Sequence, residues 1–192
     1  MQIVYIHGFN SSHRSFGYLH LKLPEHQIVP INYHSHQPLR DSMEEVRKQL
    51  PKKQFVLVGH SLGGILAVLM AAEHPEQTTN LIAISTPFGG SRAATIARWL
   101  PGHPQILHDL TPSAGKIELI SQLKLVVPTL SIISTGGSLA TTNEPNDSIV
   151  TVASQRALPF GRKAEVKANH FEILTHEKAA KLIQDFLFDE PT

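Results

Sequence analysis

The chain contains no cysteine, which excludes disulfides, thiolate metal sites and a thiol nucleophile and is compatible with a reducing compartment. Neither sign of charge is in excess, since 17 basic residues stand against 16 acidic ones for a net charge of +1. That balance offers nothing to nucleic acid or to an anionic membrane surface, so a small, mostly neutral molecule is the expected partner. Long apolar runs are missing as well: none reaches the roughly 18 residues of a membrane helix, and no membrane span is expected. The opening stretch MQIVYIHGFN lacks a basic n-region and a cleavage site, so no export signal is read and a cytoplasmic location is expected. G-x-G-x-x-G, a P-loop lysine and H-E-x-x-H do not occur, which argues against a nucleotide-binding turn and a zinc-protease helix. No cofactor and no metal are therefore expected. Without internal repeats, linkers or low-complexity tracts, 192 residues of 41% hydrophobic content read as one domain over 1–192 with a substantial core.

What is present is concentrated in residues 55–70, FVLVGHSLGGILAVLM. Residues 55–58 form a short, β-branched apolar run that reads as a strand buried on both faces. Residues 65–72 read as an apolar helix, with no proline until Pro75. Between them lies Gly59-His60-Ser61-Leu62-Gly63, a G-x-S-x-G spacing at a strand-to-helix junction. A serine on so tight a turn is held in a strained backbone conformation with its hydroxyl projecting, and the flanking glycines remove side chains that would collide there. Gly64 continues the small-residue run, so the helix can pack closely on the sheet with its N-terminal N–H groups toward the serine. The plain alternative is a serine in an ordinary glycine-rich turn.

Around this stretch the pattern alternates. Residues 3–6 read as the first strand, with His7-Gly8-Phe9-Asn10 as the turn at its carboxyl end. Ser11 and Ser12 are candidate caps for a helical segment ending at Leu23, and residues 28–31 read as a second strand. Pro38 opens a helix in which Leu39, Met43, Val46 and Leu50 recur at helical spacing, and Pro51 ends it. Residues 81–85, 129–134 and 163–166 supply further strands, and Thr175 is a candidate cap for a last helix with one apolar face. The order βαβαβαβ predicts an α/β fold, a mainly parallel sheet of about six strands with helices on both faces and a ligand site at the strand carboxyl ends. The alternation lapses over residues 86–126, where glycines and prolines punctuate short helical pieces. An insertion of that length reads as a lid or binding segment.

A serine hydroxyl is a poor nucleophile at neutral pH and needs a general base, itself oriented by a third group. Asp147, in the loop region after the fifth of these strands, and His170, just after the sixth, lie on the same carboxyl edge as Ser61. The HGFN turn, GHSLGG at the elbow, STPFGGS after the fourth strand, NDSIV and ANHFEIL together resemble the α/β-hydrolase superfamily, and most closely its small lipases and esterases, in the order Ser, acid, His. The resemblance implies the three-layer α/β-hydrolase fold with a small lid-like insertion, Ser61, Asp147 and His170 as the catalytic residues, and an oxyanion hole from the backbone N–H groups of Phe9 and Leu62. It also departs from the pattern: the chain begins at what would be the family's third strand, and residues 86–126 are shorter than a full cap domain.

Other readings stay open on the sequence alone. His176 competes with His170 as base, and Asp109, Glu144 and Glu172 compete with Asp147 as acid. His60 is read as structural or substrate-adjacent. His34-Ser35-His36 invites a metal reading, but without a third ligand these are read as solvated loop histidines. Phe88, Trp99, Leu100, Leu107 and Leu110 either line an acyl pocket or bury the insertion's own helices. The expected activity is hydrolysis of a small carboxylic ester through an acyl-serine intermediate, with a thioesterase, an amidase or a catalytically silent binding protein on the same fold as alternatives. Nothing in the sequence sets the oligomeric state.

Overall fold

In a computed structural model, which describes residues 1–90, 104–111, 115–139 and 142–188, alternate residues of the first strand, β1 (Gln2–Ile6), enter opposite cores. Ile3 and Tyr5 join one buried cluster, and Val4 and Ile6 join another. The same alternation runs through β3 (Phe55–His60) and β4 (Thr78–Ile84), because a pleated strand sends successive side chains to opposite faces. With β2 (Gln27–Pro30), β5 (Thr129–Ser134) and β6 (Arg162–Val166), these form a six-stranded sheet in the order β2-β1-β3-β4-β5-β6. Every pairing is parallel, so each connection crosses over the sheet and both faces are covered.

One face is covered by α2 (Leu39–Gln49) and α3 (Leu62–Glu73), with Leu39, Val46, Ile65, Leu66 and Val68 buried against Leu57 and Leu81. Helix α3 is apolar all round because it is enclosed all round: α2 and two short helices of the insertion, α4 (Ile106–Asp109) and α5 (Gly115–Gln122), share its core through Ile106, Leu110, Ile117 and Ile120. On the other face lie a 3₁₀ turn (His13–Phe16), α1 (Gly17–Lys22) and α7 (Glu177–Phe188), packed on Ile3, Tyr5, Val56 and Ile82. A short α6 (Val152–Gln155) sits near the carboxyl end of β5.

Some boundaries differ from the sequence pattern for local reasons. Strand β3 continues two residues beyond its apolar run, to His60, so it leads straight into Ser61. Strand β4 starts at Thr78 rather than at Leu81, because the polar segment Thr78–Asn80 pairs with Phe55 and Val56. Ser12 precedes the 3₁₀ turn and offers its carbonyl to Ser15 N at 3.1 Å, not its hydroxyl. Thr175 is not the cap of the last helix. It ends a 3₁₀ turn (Glu172–Thr175) with its hydroxyl donated to Glu172 O at 3.1 Å, and His176 takes the cap position. Trp99 and Leu100 lie outside the described residues.

The sheet's margins are short or charged. Strand β2 has four residues and ends in Pro30, and β6 exposes Arg162, Lys163 and Glu165.

Candidate active site

Ser61 joins β3 to α3 with φ 53° and ψ −122°, a positive φ that L-residues rarely adopt and that must be held by its surroundings. Two backbone hydrogen bonds hold it: Ser61 N–H donates to Ile84 O of β4 at 2.9 Å, and Ser61 O accepts from Gly64 N at 3.0 Å. The glycines are sterically required, since a Cβ at Gly63 would collide with the carbonyl oxygens of Ile6 and His7, and one at Gly59 with the Gly63 backbone. The turn after β1 therefore lies directly against the serine turn. A Cβ at Gly8 would stand 3.1 Å from the Ser61 Cβ, which places the Phe9 end of the HGFN turn beside Ser61. Leu62, the first residue of α3, is buried, and its N–H belongs to the first helical turn, where no intrahelical acceptor exists. Phe9 is half-buried, with its ring stacked on His36 at 4.7 Å.

His170 and Asp147 meet. The His170 Nδ1 donates to Asp147 Oδ2 at 2.7 Å, and the His170 backbone N–H donates to Asp147 O at 2.9 Å. Both side chains are buried, 4% and 0% exposed, so the contact is shielded from solvent. The acid sits in a tight loop whose own N–H groups converge on it: Ile149 N and Val150 N donate to Asp147 Oδ1 at 3.0 and 2.7 Å. Two further groups, which the sequence reading missed, complete the carboxylate's shell, and a third supports one of them. Ser134 Oγ, at the end of β5, donates to Asp147 Oδ2 at 2.6 Å, and Gln155 Nε2 of α6 donates to the same oxygen at 3.2 Å. Ser85, after β4, lies 2.6 Å from Ser134 through its hydroxyl. A polar residue closing an apolar strand was the available signal for Ser134. Burial by itself would raise the Asp147 pKa, but the hydrogen bonds from His170, Ser134 and Val150 outweigh it and leave it below the ordinary carboxylate value.

His60 is also buried beside His170, with ring centroids 4.8 Å apart, and its Nε2 donates to His170 O at 2.8 Å. Burial, and then the neighbouring His170, push the His60 pKa down to about 3, so its ring is neutral. Phe171, 65% exposed, sets its ring edge against His170 at 5.3 Å. Phe88 is buried in the core shared with α3. The rival candidates have other partners. Asp109 Oδ2 accepts from Leu39 N at 2.8 Å at the start of α2, Glu172 Oε2 accepts from Asn169 N at 3.1 Å, and His176 Nδ1 accepts from Lys178 N at 3.2 Å. His34 contacts Glu45 at 3.2 Å.

A serine on a strained strand-to-helix turn, with a buried histidine–carboxylate pair on the same edge of a parallel sheet, is the arrangement of an α/β hydrolase. The sequence agrees: residues 7–105 match the profile of the alpha/beta hydrolase fold, and the chain belongs to that family. Among solved structures, it is similar to a Bacillus licheniformis lipase in its mature form, with a TM-score of 0.77, 17% identity and coverage of 97% of this chain and 91% of the lipase. A metagenomic carboxyl esterase gives a TM-score of 0.74 at 15% identity, over 90% of this chain and 65% of the esterase. Among curated proteins, a putative 2-succinyl-6-hydroxy-2,4-cyclohexadiene-1-carboxylate synthase of Bacillus subtilis is 30% identical over 114 residues, 50% of this chain and 42% of its own length. A 1-acylglycerol-3-phosphate O-acyltransferase of Arabidopsis thaliana is 38% identical over 60 residues, 31% of this chain and 14% of its own length. The chain thus spans less than half the length of these curated relatives. Among the described residues, no helix is long and apolar enough to cross a membrane.

Proposed function

We propose that the protein is a serine hydrolase that cleaves a small carboxylic ester through an acyl-Ser61 intermediate. The observation that carries this reading is the 2.7 Å contact between buried Asp147 and His170 Nδ1, on the same sheet edge as the strained Ser61 turn. With its Nδ1 proton committed to Asp147, the imidazole turns a basic Nε2 outward, the tautomer a general base needs. Ser61 Oγ attacks the ester carbonyl while His170 Nε2 takes the hydroxyl proton, and the Asp147 carboxylate stabilises the resulting imidazolium. The N–H groups of Leu62 and Phe9 are suited to the negative charge on the tetrahedral oxygen, an interaction worth a few kcal/mol per donor. Collapse transfers the proton to the leaving alcohol, and water then repeats the sequence to free the acid.

In sequence, the chain is similar to a pimeloyl-[acyl-carrier protein] methyl ester esterase of Vibrio vulnificus, 36% identical over 36% of this chain and 28% of its own length. A thioesterase domain from the curacin biosynthetic pathway is also similar in fold, with a TM-score of 0.65 at 15% identity. Ester and thioester substrates therefore both belong on the test panel. We expect the purified protein to hydrolyse p-nitrophenyl esters and Ser61→Ala to be inert toward them. Equal rates in both proteins would remove Ser61 from the chemistry, and no hydrolysis by either, with ligand binding retained, would favour a silent binding fold.

A further inference from the structure

We propose that Ser134 is a positioning residue of this site, its hydroxyl fixing the orientation and basicity of the Asp147 carboxylate, and that Ser85 fixes the direction of the Ser134 hydroxyl; this rests on the Ser61–His170–Asp147 reading above. Proton counting sets the direction. An ionised carboxylate accepts only, so in the 2.6 Å contact between Ser134 Oγ and Asp147 Oδ2 the single hydroxyl proton of Ser134 is spent on Asp147. The 2.6 Å contact between Ser85 and Ser134 must then carry the proton of Ser85. The resulting chain runs from Ser85 O–H to Ser134 O–H to Asp147, which accepts in turn from His170 Nδ1–H.

Each member is locked from outside the chain. The Gln155 side chain clips the Ser134 backbone at both polar atoms, accepting from Ser134 N at 2.9 Å and donating to Ser134 O at 3.0 Å. That clip also settles which end of the amide faces Asp147. Ser85 is fully buried, and its backbone is held at φ 49°, a strained conformation of the kind that accumulates where a side chain has to be aimed. Its N–H is tied to Ile132 O at 2.9 Å, so the strain is borne by the sheet. Ser131, on β5 with Ser134, carries a hydroxyl without such use: its Oγ is buried with no partner among the described residues.

A hydrogen bond donated to a carboxylate favours its ionised form, so deleting the Ser134 hydroxyl makes the carboxylate more basic and the imidazolium beside it more favourable. Among the described residues, the titratable groups that face His170 are Asp147 and the neutral His60. In Ser134→Ala, the His170 titration followed by NMR in the resting protein should therefore move up. The far-downfield resonance of its Nδ1 proton should shift as well. With an ester substrate, the loss of the carboxylate's fixed orientation should outweigh the gain in imidazolium stability, so kcat/KM should fall about tenfold, mostly in kcat, with its acid limb moved the same way. Ser134→Thr should restore both readouts, and Ser131→Ala should leave both unchanged. If Ser134→Ala does not fold, Ser85→Gly removes the outer hydroxyl at a position whose positive φ suits glycine, and a smaller upward shift is expected. An unmoved or lowered His170 midpoint in the variant that folds overturns the proposal. Because the titration needs no substrate, it stands apart from any failure of the ester-hydrolase reading.

Discussion

Because His60 is buried with its imidazole uncharged, its protonation ties the stability of the protein to pH. In the folded chain its pKa is about 3, whereas an unfolded histidine titrates near 6.5. Between those values the unfolded state binds the extra proton, so stability is full above about pH 6.5 and falls as the pH drops, by up to ~1.4 kcal/mol per pH unit. His7, also pushed down by burial, acts in the same sense. Replacing His60 by Gln keeps an N–H donor for the His170 carbonyl but removes the titration. Urea midpoints of His60→Gln should therefore fall less between pH 7 and pH 5 than those of the unaltered protein; equal losses would show that His60 is not the group responsible. At this scale the sequence singled out Ser61, Asp147 and His170, residues that stand in turns with their own local chemistry. Ser85 and Gln155 were not legible, and the signal at Ser134 was ambiguous. A single polar residue near the end of a strand looks like a terminator, and only the adjacency of β4 and β5 in the sheet turns two such terminators into a hydrogen-bonded pair.

At the scale of elements, the junction of β3 with α3 is decided by clearance rather than by propensity. Gly63 lies so close to the carbonyls of Ile6 and His7 that no side chain fits, while Gly17, at the start of α1, has open space around it. Gly63→Ala should therefore cost several kcal/mol and disturb the serine turn with it, whereas Gly17→Ala should stabilise the chain by about 0.5 kcal/mol through helix propensity. Chemical denaturation of the two variants checks this, and similar midpoints would refute the clearance account. Periodicity identified α2 and α7, whose apolar spacing is unambiguous, while α3 and the buried strands were read from continuous apolar runs bounded by glycine and proline. It missed the start of β4, where a polar segment is recruited by its neighbour, and the true cap of α7, where a 3₁₀ turn intervenes. Asp109, one of the competing acids on sequence alone, ties the insertion helix α4 to the N-terminus of α2, a long-range contact with no local signature.

For the molecule as a whole, the parallel order β3-β4-β5-β6 gathers the ends of four neighbouring strands at one edge, and the two clusters on the sheet's faces keep those ends in register. The lateral margins have a different consequence, one for the crowded state rather than for the site. A parallel sheet with bare backbone at its sides could recruit another chain strand by strand, yet here one side stops after four residues in a proline, and the other carries Arg162, Lys163 and Glu165 into solvent. Lys163 and Glu165 lie on the face of β6 away from Val166, with Glu165 also paired to Arg156. Growth from that side would have to strip water from charges. Replacing both residues by valine should leave the native spectrum intact but produce light scattering during mild heating at concentrations where the unaltered protein stays clear. Unchanged scattering would mean that these charges do not control coagulation, and that the sheet's lateral edge is guarded by its shortness alone.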